Sequence, residues 1–118
     1  MGIRVTSYRV AGRLVPPSAK GLRAGSIILR RDGVMDWHST HAREELLIVL
    51  ASRVHLEVVA TSRRLRRFPL TAGQCAWLPS HTLHRVVNPS PATARYLYVT
   101  APIVSERRKT RANDSTAR

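Results

Sequence analysis

Gly73-Gln74-Cys75-Ala76-Trp77-Leu78-Pro79-Ser80-His81-Thr82-Leu83-His84-Arg85-Val86-Val87-Asn88 is the stretch whose reading decides the fold. It reads as a short apolar strand, a tight turn and a second strand. Pro79 has no N–H for a ladder, so it closes the first strand. Ser80, His81 and Thr82 supply the turn, and 83–87 resume extended chain. Side chains alternate along a strand, so positions 82, 84, 86 and 88 share one face. His84 is thereby set just inside a sheet, a natural ligand position. Taken alone, a buried and satisfied histidine is the commoner outcome for such a residue.

Outward from this pair, the chain repeats the same pattern. Residues 3–14 have extended character, with Val5, Tyr8, Val10 and Leu14 spaced by polar residues, until Pro16, Pro17 and Gly21 break them into a loop. A short strand is expected at 24–29, ended by the Asp32-Gly33 turn signal. Residues 45–50 form an apolar run, 54–61 alternate with period two, and Ala51-Ser52-Arg53 joins them as a hairpin. A basic strand at 63–70 and segments at 74–78, 83–88 and 93–101 complete the set. The competing reading is a helix at 40–52, capped by Thr40, with His41 and Glu45 one turn apart. The short run and the alternating segment beside it favour a strand. Roughly nine short strands at about ten-residue spacing argue an all-β sandwich or barrel.

The 118 residues suit one domain, and the net charge is +13. Lys20 and Lys109 are the only lysines, so arginine supplies eighteen of the twenty basic residues. A single cysteine, Cys75, excludes an internal disulfide. There is no apolar run of membrane-spanning length and no leader pattern, so no membrane partner is expected and a cytoplasmic protein is. The arginine run at 63–67 and the basic residues at 107–111 raise the question of nucleic acid. No aromatic interleaves the run, so nucleic acid is not expected as a partner and a charge-guarded edge strand is the better reading.

A second polar cluster, His38-Ser39-Thr40-His41-Ala42-Arg43-Glu44-Glu45, offers imidazoles and carboxylates. With His84 it would supply two or three nitrogens and one carboxylate oxygen, a set that suits Fe, Mn, Ni, Cu or Zn. The bland alternative is surface histidines beside a solvated edge.

Together the two stretches resemble the cupin superfamily. Gly73, Pro79, His84 and Asn88 fall at the spacings of its second motif, with His81 in place of the turn glycine, a residue that tolerates positive φ. Gly33, His41 and Glu45 match the first motif in register, with Ser39 where its first histidine stands and Ser52 where its last glycine stands. The resemblance implies a cupin-type jelly-roll barrel at 24–102, preceded by a covering strand and loop at 1–23 and followed by a frayed basic tail at 103–118. It also implies a divalent metal held by His41, His84, Glu45 and His38, and a small organic ligand in the barrel; separately, the basic residues would steer an anionic ligand toward the barrel mouth. Oxygenase, isomerase and decarboxylase chemistries all occur on such barrels, as do non-catalytic ligand-sensing modules.

His38 and His41 are three apart, so on a regular strand they point to opposite faces. Either His38 points away and His41, Glu45 and His84 form the site with Ser39 nearby, or a β-bulge at Ser39-Thr40 turns His38 inward. The bulge is the preferred reading. Glu44 should face away from Glu45. His81 is read as a turn residue, with a ligand or acid–base role as the alternative. Trp77, Tyr96 and Tyr98 are candidate pocket aromatics. Leu46, Ile48 and Leu50 would point outward and need cover, from 3–14 or from a second copy in a homodimer.

Overall fold

The computed structural model describes residues 2–104. Its nine strands are β1 (Gly12–Arg13), β2 (Arg23–Leu29), β3 (Val34–Ser39), β4 (Arg43–Ala51), β5 (Arg53–Val59), β6 (Leu65–Thr71), β7 (Cys75–Leu78), β8 (Leu83–Val87) and β9 (Ala94–Pro102). No helix occurs among the described residues, and so none is long and apolar enough to cross a membrane. Two antiparallel sheets face each other, ordered β1-β2-β9-β4-β7 and β3-β8-β5-β6. Most neighbours are distant in sequence, the connectivity of a jelly roll.

Residues 43–51, where a helix competed, are strand β4, paired to β9 on one side and β7 on the other. Its side chains alternate: Glu45, Leu47 and Val49 are buried, while Glu44 and Leu46 are exposed. Leu47, Val49, Val54, Leu56, Leu78 and Val86 fill one end of the space between the sheets. The opposite end stays open and carries the polar residues described below.

Asn88 fastens the closed end. Its carboxamide nitrogen donates to the carbonyls of Leu29 at 3.0 Å, Arg30 at 3.2 Å and Ala92 at 2.7 Å. Its oxygen accepts from Ser90 N at 2.9 Å and Ser90 Oγ at 3.0 Å. A buried amide so completely used ties the β2–β3 turn to the β8–β9 loop. That turn has Asp32 at φ 62° and closes through Gly33 N to Arg30 O at 2.7 Å.

The N-terminal segment departs from expectation. Only Gly12–Arg13 pairs with β2. Tyr8 touches the sheet by accepting a 2.7 Å bond from Ser26 Oγ. Ile3, Val5 and Val10 are exposed, and so are Leu46 and Trp77 on the outer face of the five-stranded sheet. The basic tail from residue 105 onward lies outside the described residues.

The basic strand is β6, at the edge of the four-stranded sheet, where Pro69 stands opposite His55. An edge has no ladder to lose on its free side, so proline is tolerated there. On the outer face Glu57 sits directly between Arg67 of β6 and Arg85 of β8. Arg67 Nε reaches Glu57 Oε2 at 3.0 Å, and Arg85 Nε reaches Oε1 at 2.6 Å. The Glu57 side chain is only 4% exposed, so its charge depends on these partners. The hydrogen bond from Arg85, with that from Arg67, holds its pKa below the ordinary carboxylate range against the opposing effect of burial.

A depressed carboxylate pKa contributes stability above the ordinary range, and that contribution is lost as pH falls through the folded value. Glu57→Gln should therefore cost about 2 kcal/mol at neutral pH. In urea titrations repeated down the pH scale, the gap to the wild type should narrow below the ordinary carboxylate range and close in acid. A gap that stays constant with pH would mean the carboxylate charge is not its source.

Candidate metal centre

The open end is built by β3 and β8 of one sheet and β4 of the other. His84 lies on β8 and is fully buried. Its Nδ1 is 3.0 Å from the Thr82 carbonyl. A carbonyl only accepts, so Nδ1 carries the proton and Nε2 is left with its lone pair. That Nε2 is buried without a hydrogen-bond partner.

His38 stands directly opposite His84 because β3 carries a bulge. Met35 pairs with Val86 and His38 with His84, so three steps on β3 oppose two on β8. The extra residue lies within Asp36–Trp37, earlier than the Ser39-Thr40 position expected from the sequence. Asp36 shapes it: its Oδ1 accepts from Trp37 N at 2.8 Å, and its carbonyl is 2.7 Å from His38 Nδ1. His38 is thus held as His84 is, with Nε2 free. The two rings lie 4.2 Å apart, tilted by 56°.

Glu45, from β4, closes the group with Oε1 3.8 Å from His84 Nε2. Donor atoms of His38, Glu45 and His84 all lie within 4.8 Å of one another. Burial raises the Glu45 pKa, opposed by the charge of His38. Burial lowers that of His84, opposed by the Thr82 hydrogen bond. Burial, and then the charge of Glu45, pushes the Tyr96 phenol upward. A lone pair and a carboxylate kept from water at such cost need a partner. Two imidazoles whose Nδ1 protons are fixed by backbone carbonyls, with one carboxylate, are a donor set that fits a divalent ion.

His41 does not join them. β3 ends at Ser39 and β4 begins at Arg43, so His41 falls in the turn between, closed by Arg43 N to Thr40 O at 3.2 Å. Its φ is 54°, its side chain is exposed, and it stands at the cavity mouth. The position is a left-handed turn site rather than the inward strand position expected. His81 occupies the facing turn at φ 57° and donates from its backbone to His41 O at 2.7 Å. Thr40 ties the turns together, donating through Oγ1 to Pro79 O at 2.8 Å and accepting from Thr82 N at 3.0 Å.

The cavity measures about 410 Å³, and Met35, Tyr96 and Tyr98 help line it. Trp77 is outside, donating through Nε1 to Glu44 Oε1 at 2.8 Å. Glu44 therefore faces away from Glu45, as alternation requires. Three residues escaped the sequence reading: Arg23, Arg43 and Gly25. Both arginines line the cavity. Arg43 Nε donates to Thr100 Oγ1 at 2.9 Å, and its Nη2 donates to Thr100 O and Gly21 O. Burial, and then the neighbouring Arg23 charge, lowers its pKa. Gly25 is opposite Tyr98, and a Cβ there would meet that ring at 2.4 Å. The tyrosine lies on bare backbone, a contact that needs glycine.

Residues 26–100 match the cupin domain family. The chain is a cupin. No curated protein matches it by sequence. Among solved structures, the cupin domain of Schizosaccharomyces pombe Cnp3 superposes with a TM-score of 0.68 at 14% identity, covering 91% of this chain and 69% of that one. TT1209 from Thermus thermophilus gives 0.66 at 20% identity, covering 86% and 98%. An oxalate oxidase gives 0.65 at 14% identity, and this cupin spans 42% of that chain. Likenesses at such identities carry the fold.

Gly25→Ala should force the Tyr98 ring off the β2 backbone and cost about 1–3 kcal/mol, as overpacking does. Urea denaturation checks it. Gly25→Ala combined with Tyr98→Ala should recover part of the loss, because the methyl then has room.

Proposed function

We propose that this cupin binds a divalent transition metal through His38, Glu45 and His84, and acts as a metal-dependent enzyme on a small anionic organic molecule. The observation that carries the reading is the buried, unpartnered Nε2 of His84, facing a buried carboxylate and a second imidazole. The ion, whether iron, manganese, nickel, copper or zinc, would supply Lewis-acid chemistry or a platform for dioxygen. The protein's own contribution is positional. Asp36 and Thr82 carbonyls fix both imidazole tautomers, and Glu45 supplies the charge that offsets a cation. Tyr96 and Met35 shield one side of the cavity from water, while Arg23 and Arg43 set positive charge at its wall. An anionic group is favoured there. Oxygenase, isomerase and decarboxylase chemistry are the reaction classes this site suits.

Elemental analysis of protein purified without an affinity tag tests the site. One equivalent of metal is expected, lost in His84→Ala and bound at least about tenfold more weakly in His38→Ala. His41→Ala should keep it. Metal retained in full by His84→Ala, or lost in His41→Ala alone, would overturn the assignment.

We also propose that two copies pair through the outer face of the five-stranded sheet. There Leu46 stands beside Trp77 and Val99, and Ile48 beside Cys75 and Leu97. Leu46 and Trp77 are exposed, and paired aliphatics of this extent favour cover. Sedimentation should give a dimer that Leu46→Asp converts to a monomer with its metal content unchanged.

A further inference from the structure

A second cavity, of about 390 Å³, lies under the loop between β1 and β2, outside the metal group. Arg13, Lys20, Arg23 and Arg43 line it, and no carboxylate does. Arg23, Arg43 and Tyr98 also line the barrel cavity, so the two spaces share a wall. We infer that this cavity is an anion site, taking a phosphate or carboxylate group of a ligand whose other end enters the barrel.

Three features support the assignment. The first is charge. Four cationic side chains around one small space, with Arg13, Lys20 and Arg23 exposed, set up a positive potential that draws an anion and that salt screens. Among the described residues none of the four has a salt-bridge partner, whereas Arg67 and Arg85 share Glu57 on the outer face. The second is donor orientation. Arg43 commits Nε and Nη2 to Thr100 and Gly21. The guanidinium plane is fixed by those bonds, and the protons of Nη1 remain for another acceptor. A planar donor held in place costs little ordering on binding.

The third is a preformed roof. Leu14 N donates to Ala24 O at 2.9 Å and joins the two ends of the loop, and Ala19 N donates to Pro16 O at 3.0 Å in a turn within it. Pro16 and Pro17 restrict the backbone between them. Gly21, bonded to Arg43, packs close to Pro102, where an added Cβ would sit 3.5 Å away. The volume exceeds what one bare phosphate fills, leaving room for part of an organic molecule. That the ligand extends into the barrel rests on the reading proposed above; the anion site itself does not.

Calorimetric titration of the full chain with inorganic phosphate, and separately with succinate, tests this. Each titration is run at low and high potassium chloride, with metal content measured in parallel. The stronger of the two anions identifies the group the site prefers. The charge-removing pair Arg13→Gln and Lys20→Gln lies only in this cavity. It should weaken binding at least about tenfold, while Arg13→Lys with Lys20→Arg, which keeps both charges, should bind as the wild type does. His84→Ala should lose its metal yet still bind the anion, whereas wild type that carries no metal but binds phosphate upholds this site and defeats only the metal reading. The inference is overturned if wild type binds neither anion, or if the Gln pair binds as tightly as the wild type. It is equally overturned if binding does not weaken in high salt.

Discussion

The pairing of β3 with β8 is the contact on which the rest depends. One extra residue in β3, absorbed at Asp36–Trp37, puts His38 across from His84. Without it the strand would keep its alternation and turn that imidazole to the other face. Asp36 both fills the irregularity and orients the ring it delivers. A local defect in the ladder thus supplies the second nitrogen of the candidate centre. The bond from Thr40 N to Thr82 O, and that from His81 N to His41 O, carry the same pairing beyond the strands into the turns. Glu45 arrives from the opposite sheet, so the group exists only when both sheets have closed on each other.

The division of the barrel into two ends follows from which side chains each inward position holds. Along β4 the inward series runs Glu45, Leu47, Val49, and along β8 it runs His84, Val86. The apolar members pack together and leave the polar ones at one end. There, burial works against both ionisable groups, raising the carboxyl and lowering the imidazole. The outer ion cluster shows the opposite balance. Glu57 is as buried as Glu45, yet two guanidiniums keep its pKa down. A carboxylate with partners is structural; one facing an unpartnered lone pair is a candidate for chemistry.

Much of this was legible in the chain. Pro79, His84 and Asn88 marked the second hairpin by spacing, and Glu45 with its alternating aliphatics fixed which face of β4 looks inward. What local pattern could not place was the bulge, because its position is set by the partner strand. His41 was misplaced for a related reason. Its φ of 54° marks a turn, and nothing in a His-Ala pair announces that conformation. Gly25 read as an ordinary strand residue until Tyr98 was found lying on it. The arginines at 23 and 43 were hidden among eighteen of their kind. Only the folded geometry separates those at a cavity wall from those on an edge.

Strand β9 lies between β2 and β4 and is nearly the last of the described chain. A ribosome making this protein therefore releases two strands with unsatisfied edges long before their common partner emerges. Distant pairings of this kind close slowly, and exposed edges invite association with other chains. Folding of the five-stranded sheet must wait for residues 94–102, so a truncation that removes them leaves a nascent sheet with no centre and a strong tendency to aggregate.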